Sequence, residues 1–282
     1  MTKKVAVLIL HGIGSQVATF ADEMIKELEE RFAEATESSA RDHISFAPVL
    51  WASVFAEDQT ELWNRLKQRA DLDYMTLRKF TVDFLADAIA YQPSSSKDNN
   101  YDKVHAELAQ GIQKLEEEAG PDAPLCVICH SLGTVIASNY LYDLQVKKEV
   151  GARTRSLLSD SPLSRGETFT HFYTMGSPIA LWSLRFKDFG LPIAVPSPKY
   201  QDYYSSVKGE WINFFDRDDI LAYPLKGINE KYNQAVTEDV EVRAGGPVIG
   251  WTPVAHIGYS DNELVLKRIA SGIVKLWRDV NE

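Results

Sequence analysis

"CVICHSLGTVIASNYL", Cys126 to Leu141, decides the fold class. Mostly apolar residues run into His130-Ser131-Leu132-Gly133, and a helical pattern follows with no linker. A strand that turns through one residue into a helix has the layout of a nucleophile elbow. The corner residue is forced into a strained backbone conformation that only surrounding structure sustains. In return, the Ser131 hydroxyl stands clear of the sheet. The Leu132 N–H and the positive end of the helix then face the place where an oxyanion would form. Small residues are needed two positions before and after the corner, where strand and helix backbones nearly touch. Gly133 supplies one; Cys129 stands where the pattern G-x-S-x-G has glycine. The competing reading is a serine that only caps a helix.

Working outward, "LILHGIG" ends a first apolar run at Gly14. A His-Gly turn there can aim a backbone amide into the same site as a second oxyanion donor. By position that donor is Ile13, with Gly14 the alternate. A phosphate-binding turn is the rival, but the Walker lysine is missing and the glycines do not fit G-x-G-x-x-G.

A serine hydroxyl becomes a nucleophile near neutral pH only when a base takes its proton, and the base needs an orienting carboxylate. The chain order on this layout is serine, acid, histidine. Two histidines follow Ser131. His171 begins an apolar run, whereas His256 lies in the loop "PVAHIGYSDNE" before a final helical stretch. A loop histidine can reach across strand ends, so His256 is preferred. The acid should follow the run Trp211–Phe215, where Asp216, Asp218 and Asp219 all qualify. Asp219 precedes the apolar pair Ile220-Leu221 and ranks first, Asp218 second and Asp216 last.

Strand-like runs at Val5–Leu10, Ile44–Trp51, Leu125–Cys129, Phe169–Met175 and Trp211–Phe215 alternate with helical patterns at Phe20–Ala35, Glu57–Tyr91, Val104–Ala119, Leu132–Val146 and Asn262–Trp277. That alternation predicts an α/β architecture with a mainly parallel sheet. The stretch "QPSSSKDNN" is a loop, residues 186–209 an excursion, and residues 226–253 a long loop or small hairpin. No linker is evident, so a single domain over 1–282 is expected, with a helical insertion near 56–120. Residues 56–91 either cap the site as a lid or cover the sheet.

The 282 residues carry 30 basic and 40 acidic side chains, a net charge of −10. That balance disfavours nucleic acid and anionic lipid surfaces. The opening "MTKKVAVLIL" imitates a signal peptide, but its apolar run is short and reads as a strand. No apolar segment approaches the ~18 residues of a membrane span, so no stable membrane insertion is expected. Two cysteines in 282 residues suit a reducing, cytoplasmic setting. Cys126 and Cys129, three apart on a strand, face opposite ways, which favours two core thiols over redox or zinc chemistry.

Together "LILHGIG", "VICHSLGTVIA", "YTMGSPIALW", "WINFFDRDDILAYPL" and "VAHIGYSDNE" resemble α/β-hydrolases of the lipase/esterase type. The fourth is similar to the D-P-V-A-Y segment of intracellular phospholipases with a DDHD domain, and "MGSPIALWSLR" resembles their "GSPL" strand end. The resemblance covers about 60 residues between 7 and 262. It implies an α/β-hydrolase fold, hydrolysis of a small-molecule or lipid acyl ester, and no metal or cofactor. It implies Asp219 as the acid and His256 as the base beside Ser131. An acyltransferase or thioesterase would use the same three residues, and a non-catalytic scaffold would keep only the fold.

Overall fold

The computed structural model describes residues 2–12, 17–68, 78, 85–93, 99–245 and 256–282. Among the described residues, six parallel strands form one sheet in the order β2-β1-β3-β4-β5-β6. They are β1 (Val5–Leu10), β2 (Ile44–Val49), β3 (Leu125–His130), β4 (Phe169–Met175), β5 (Glu210–Phe215) and β6 (Glu238–Glu241). β1 and β4 are buried along their whole length, as expected of parallel strands covered on both faces.

Alternation along each strand divides the core. Ala6, Leu8 and Leu10 join one apolar cluster with Val127, Cys129 and Trp211. Val5, Val7 and Ile9 join the other with Cys126, Ile128 and Phe214. The two cysteines are buried, unpaired and on opposite faces. α1 (Asp22–Thr36) and α8 (Glu263–Asn281) pack against each other on the second face. Asn262 caps α8 by accepting from the Leu264 and Val265 amides, which leaves Val265, Ile269, Ile273 and Leu276 on one buried stripe.

On the first face lie α3 (Asn100–Ala119) and α4 (Leu132–Tyr142). The helical stretch 56–120 therefore divides. α3 belongs to the packed layer through Val104, Leu108, Ile112 and Leu115. α2 (Ala56–Lys67) leaves Leu62 and Leu66 exposed, and residues 69–77 and 79–84 of the expected lid lie outside the described residues.

The expectation of a loop or hairpin over 226–253 needs correction. The short helix α7 (Glu230–Ala235) leads into β6, which pairs parallel to β5, Ile212 opposite Glu238. "EDVE" is an acidic edge strand with no alternating apolar signal, which is how its sequence hid it. The fourth helical pattern also shortens: α4 ends at Tyr142 and continues as a π turn over Asp143–Lys147. Two further short helices are α5 (Ala152–Arg155) and α6 (Ile179–Ser183).

From β1 the chain steps outward to β2, then returns to place β3 on the other side of β1. The direction of winding thus switches between β1 and β3, and a crevice opens at the carboxyl ends of such strands. The turn at His11-Gly12 and the corner at Ser131 flank that crevice. This strand order, with the corner after β3, is the α/β-hydrolase arrangement.

Candidate active site

Ser131 alone separates β3 from α4, with φ 51° and ψ −129°. A non-glycine residue held there costs of order 1–3 kcal/mol, so its surroundings must fix it. The Ser131 N–H donates to the Met175 carbonyl at 2.9 Å. The Ser131 carbonyl accepts from the Thr134 N–H at 2.9 Å and the Thr134 hydroxyl at 2.7 Å. Thr134 Oγ1 in turn lies 2.8 Å from the Ser177 hydroxyl, just past β4.

Two glycines let the parts close up. A Cβ at Gly133 would lie 2.4 Å from the His11 carbonyl oxygen. A Cβ at Gly12 would lie 2.8 Å from both His130 Nδ1 and Ser131 Cβ. Any larger residue would push the β1 turn off the serine. Cys129 takes the position expected for glycine without crowding: its side chain is buried in the core, with Sγ 3.5 Å from the Tyr173 carbonyl oxygen.

His256 Nε2 lies 2.6 Å from Ser131 Oγ, and His256 Nδ1 lies 2.8 Å from Asp219 Oδ2. A carboxylate only accepts, so Nδ1 carries the ring proton and the Nε2 lone pair faces the serine hydroxyl. Asp219 also accepts from the Leu221 N–H at 3.0 Å and the Tyr259 hydroxyl at 2.9 Å. Burial pushes the Asp219 carboxyl up, but the bonds from His256, Leu221 and Tyr259 outweigh it and hold the group below the usual carboxylate range.

The other sequence candidates lie elsewhere. Asp216 is buried and ties the end of β5 to the next segment, accepting from the Asp218, Ala244 and Gly245 amides. Asp218 is exposed. His171 sits opposite Cys126 in the β4–β3 pairing. That register is five residues, about 16 Å, from the corner. Burial lowers the His171 pKa to about 4. Leu132 is the first residue of α4, one of the positions whose N–H has no intrahelical carbonyl. Ile13 and Gly14 lie outside the described residues.

Three neighbours escaped the sequence reading. Tyr259, in "HIGY", bridges Asp219 and the Asp216 N–H. His130 donates from Nε2 to the His256 carbonyl oxygen at 2.6 Å and stands ring to ring with His256 at 5.0 Å. Burial, with His256 beside it, lowers the His130 pKa to about 3. The His11 ring stacks on Trp51 at 4.8 Å, and the Trp51 indole N–H donates to the His11 carbonyl at 2.9 Å. His11, His130 and Tyr259 all lie inside the quoted motifs, but nothing in their spacing assigned them these contacts.

Ser131, Asp219 and His256 are all buried. Ile220 and Ile257, which follow the acid and the imidazole, are 79% and 63% exposed, so the site's surroundings carry an apolar surface. Among the described residues, no group of three or more His, Cys, Asp or Glu is placed to hold a metal ion. No described helix is long and apolar enough to cross a membrane.

No protein-family model matches the chain, and no curated protein matches its sequence. Among solved structures it is similar to an esterase of Pyrobaculum calidifontis, at 11% identity and TM-score 0.44, over 98% of this chain and 78% of that one. It is also similar to fungal esterase structures from Rhizomucor miehei, at 9% identity and TM-score 0.43, over 99% and 76%. At these values the fold assignment rests on strand order and the corner after β3, and the narrower likeness to DDHD-type phospholipases gains nothing.

Proposed function

We propose that the protein hydrolyses carboxylic esters through an acyl-enzyme formed on Ser131. One observation carries this reading: a serine on a strained strand-to-helix corner with an imidazole nitrogen 2.6 Å from its oxygen and a buried carboxylate 2.8 Å behind. His256 takes the Ser131 proton as the oxygen attacks the ester carbonyl. Asp219 keeps the ring in the required tautomer and stabilises its cation. The Leu132 N–H and the N-terminus of α4 stabilise the developing oxyanion; by sequence the second donor is Ile13. Protonated His256 then hands its proton to the departing alcohol, and a water activated by the same nitrogen frees the acid.

Ser131 is buried. The apolar side chains beside the acid and base favour an ester with apolar substituents. A fluorophosphonate probe tests the reading. It should add one label at Ser131 by intact mass and peptide mapping, and Ser131→Ala and His256→Ala should both abolish labelling. A folded wild-type protein that stays unlabelled and inert toward p-nitrophenyl esters would reject the reaction.

A further inference from the structure

A concavity runs along the flank of α4. Its volume is about 360 Å³. At ~30 Å³ per water-sized group it holds about a dozen heavy atoms. Val135, Ser138, Asn139 and Tyr142 line one wall, a stripe at helical spacing that continues to Lys147. Ile179, Trp182, Phe186 and Leu191 supply the opposite, mainly apolar wall. Neither Ser131, Asp219 nor His256 contributes to it.

Its polar groups are unbalanced. Lys147, Arg185 and Lys187 all line it, on a chain of net charge −10. Asp143 is the one carboxylate among the described lining residues, and it is already engaged: Oδ1 by Lys147 at 2.6 Å and Oδ2 by the Tyr101 hydroxyl at 2.8 Å. Among the described residues, Arg185 and Lys187 form no ion pair with a carboxylate. Arg185 and Lys187 thus bring unpaired positive charge to a cavity with one mainly apolar wall, so its complement is an apolar body with a negatively charged head.

We propose that this cavity binds a small amphiphile with a carboxylate head, the chain lying along α4 and the head at Arg185 and Lys187. The site does not depend on Ser131 being a nucleophile. If it is, the ligand belongs to the same chemical class as the acid released.

Titration calorimetry with decanoate, kept below micellar concentration, and with decan-1-ol tests this. Decanoate should bind one to one, and decan-1-ol at least about tenfold more weakly. The double variant Arg185→Ala/Lys187→Ala alters two exposed side chains; it should weaken decanoate about tenfold and leave decan-1-ol unchanged. A diazirine-bearing decanoate should cross-link within residues 135–147 and 179–191. The proposal fails if millimolar decanoate does not bind, if the double variant binds it as wild type does, or if cross-links fall on Ser131 or His256.

Discussion

Asp219, His256 and Ser131 meet at the carboxyl edge of the sheet; Asp143, His105 and Tyr91 meet between α3 and α4. Both sets are buried, and each joins a carboxylate, an imidazole and a hydroxyl. In the second set His105 Nε2 lies 2.8 Å from the Tyr91 hydroxyl, but His105 Nδ1 is 3.6 Å from Asp143 Oδ2, too far for a hydrogen bond. The carboxylate is held instead by Tyr101 and Lys147. The Tyr91 hydroxyl lies deep in the core, where burial drives its pKa well above the ordinary phenol range. Its backbone is unstrained, unlike that of Ser131. Residue types are thus shared between a site and a structural network. A strained corner at the switch between β1 and β3 distinguishes them.

The sharpest way to break this contrast is to remove each hydroxyl. Ser131→Ala should lower ester turnover on the order of 10⁶-fold, with His256→Ala similar and the two not additive. Tyr91→Phe should leave turnover per folded molecule unchanged. His105→Ala should cost about 1–3 kcal/mol of stability, read from urea midpoints, with no loss of specific activity. If either of these two variants lost activity while folded, the second set would be coupled to the reaction.

Exchanging the carboxylates comes next. Asp219→Asn keeps the shape but loses the acceptor that fixes the His256 tautomer, so kcat should fall about 10⁴-fold. Asp143→Asn should not change kcat. Tyr259→Phe removes one hydrogen bond to a charged Asp219, worth ~1.5–3 kcal/mol, so a kcat loss of roughly 10- to 100-fold is expected. A loss in Tyr259→Phe confined to KM would place Tyr259 against substrate instead of behind the acid.

The sequence made the corner legible because strand, serine and helix are contiguous, and because Gly133 has a steric reason visible in the pattern. His256 was preferred for its loop before the last helix, while position after β5 left Asp216, Asp218 and Asp219 open and the apolar pair Ile220-Leu221 ranked Asp219 first. β6 was not, because a four-residue acidic edge strand buries too little to leave an apolar signature. His130 and Tyr259 were not, because each acts through one bond to a neighbour, which no spacing rule encodes. Gly12 was read as part of a turn, while its closest constraints, the side chains of His130 and Ser131, come from the end of a different strand and the corner after it.

Acid gives the smallest and most discriminating test, because the two aspartates shift in opposite directions. Asp219 is held below its ordinary value of 3.8, whereas burial, only partly relieved by Lys147 and Tyr101, holds Asp143 above it. A depressed carboxyl stabilises the fold above its unfolded pKa and loses that contribution as pH falls through the folded value. A raised carboxyl does the reverse: the folded state keeps a proton that the unfolded chain has released, so stability falls as pH rises through that window. Both act on a shared background. Burial lowers His11 and His171 to about 4 and His105 and His130 to about 3, so the unfolded chain takes up protons first and stability declines as pH drops below 6.5. Against that background, Asp219→Asn should flatten the dependence of stability on pH below 3.8, and Asp143→Asn should steepen it in the window just above 3.8. Each change is bounded at about 1.4 kcal/mol per pH unit, measurable from urea midpoints between pH 2.5 and 6. Slopes that move in the same direction would mean that the two carboxylates sit in equivalent environments, and the electrostatic half of the contrast would fall.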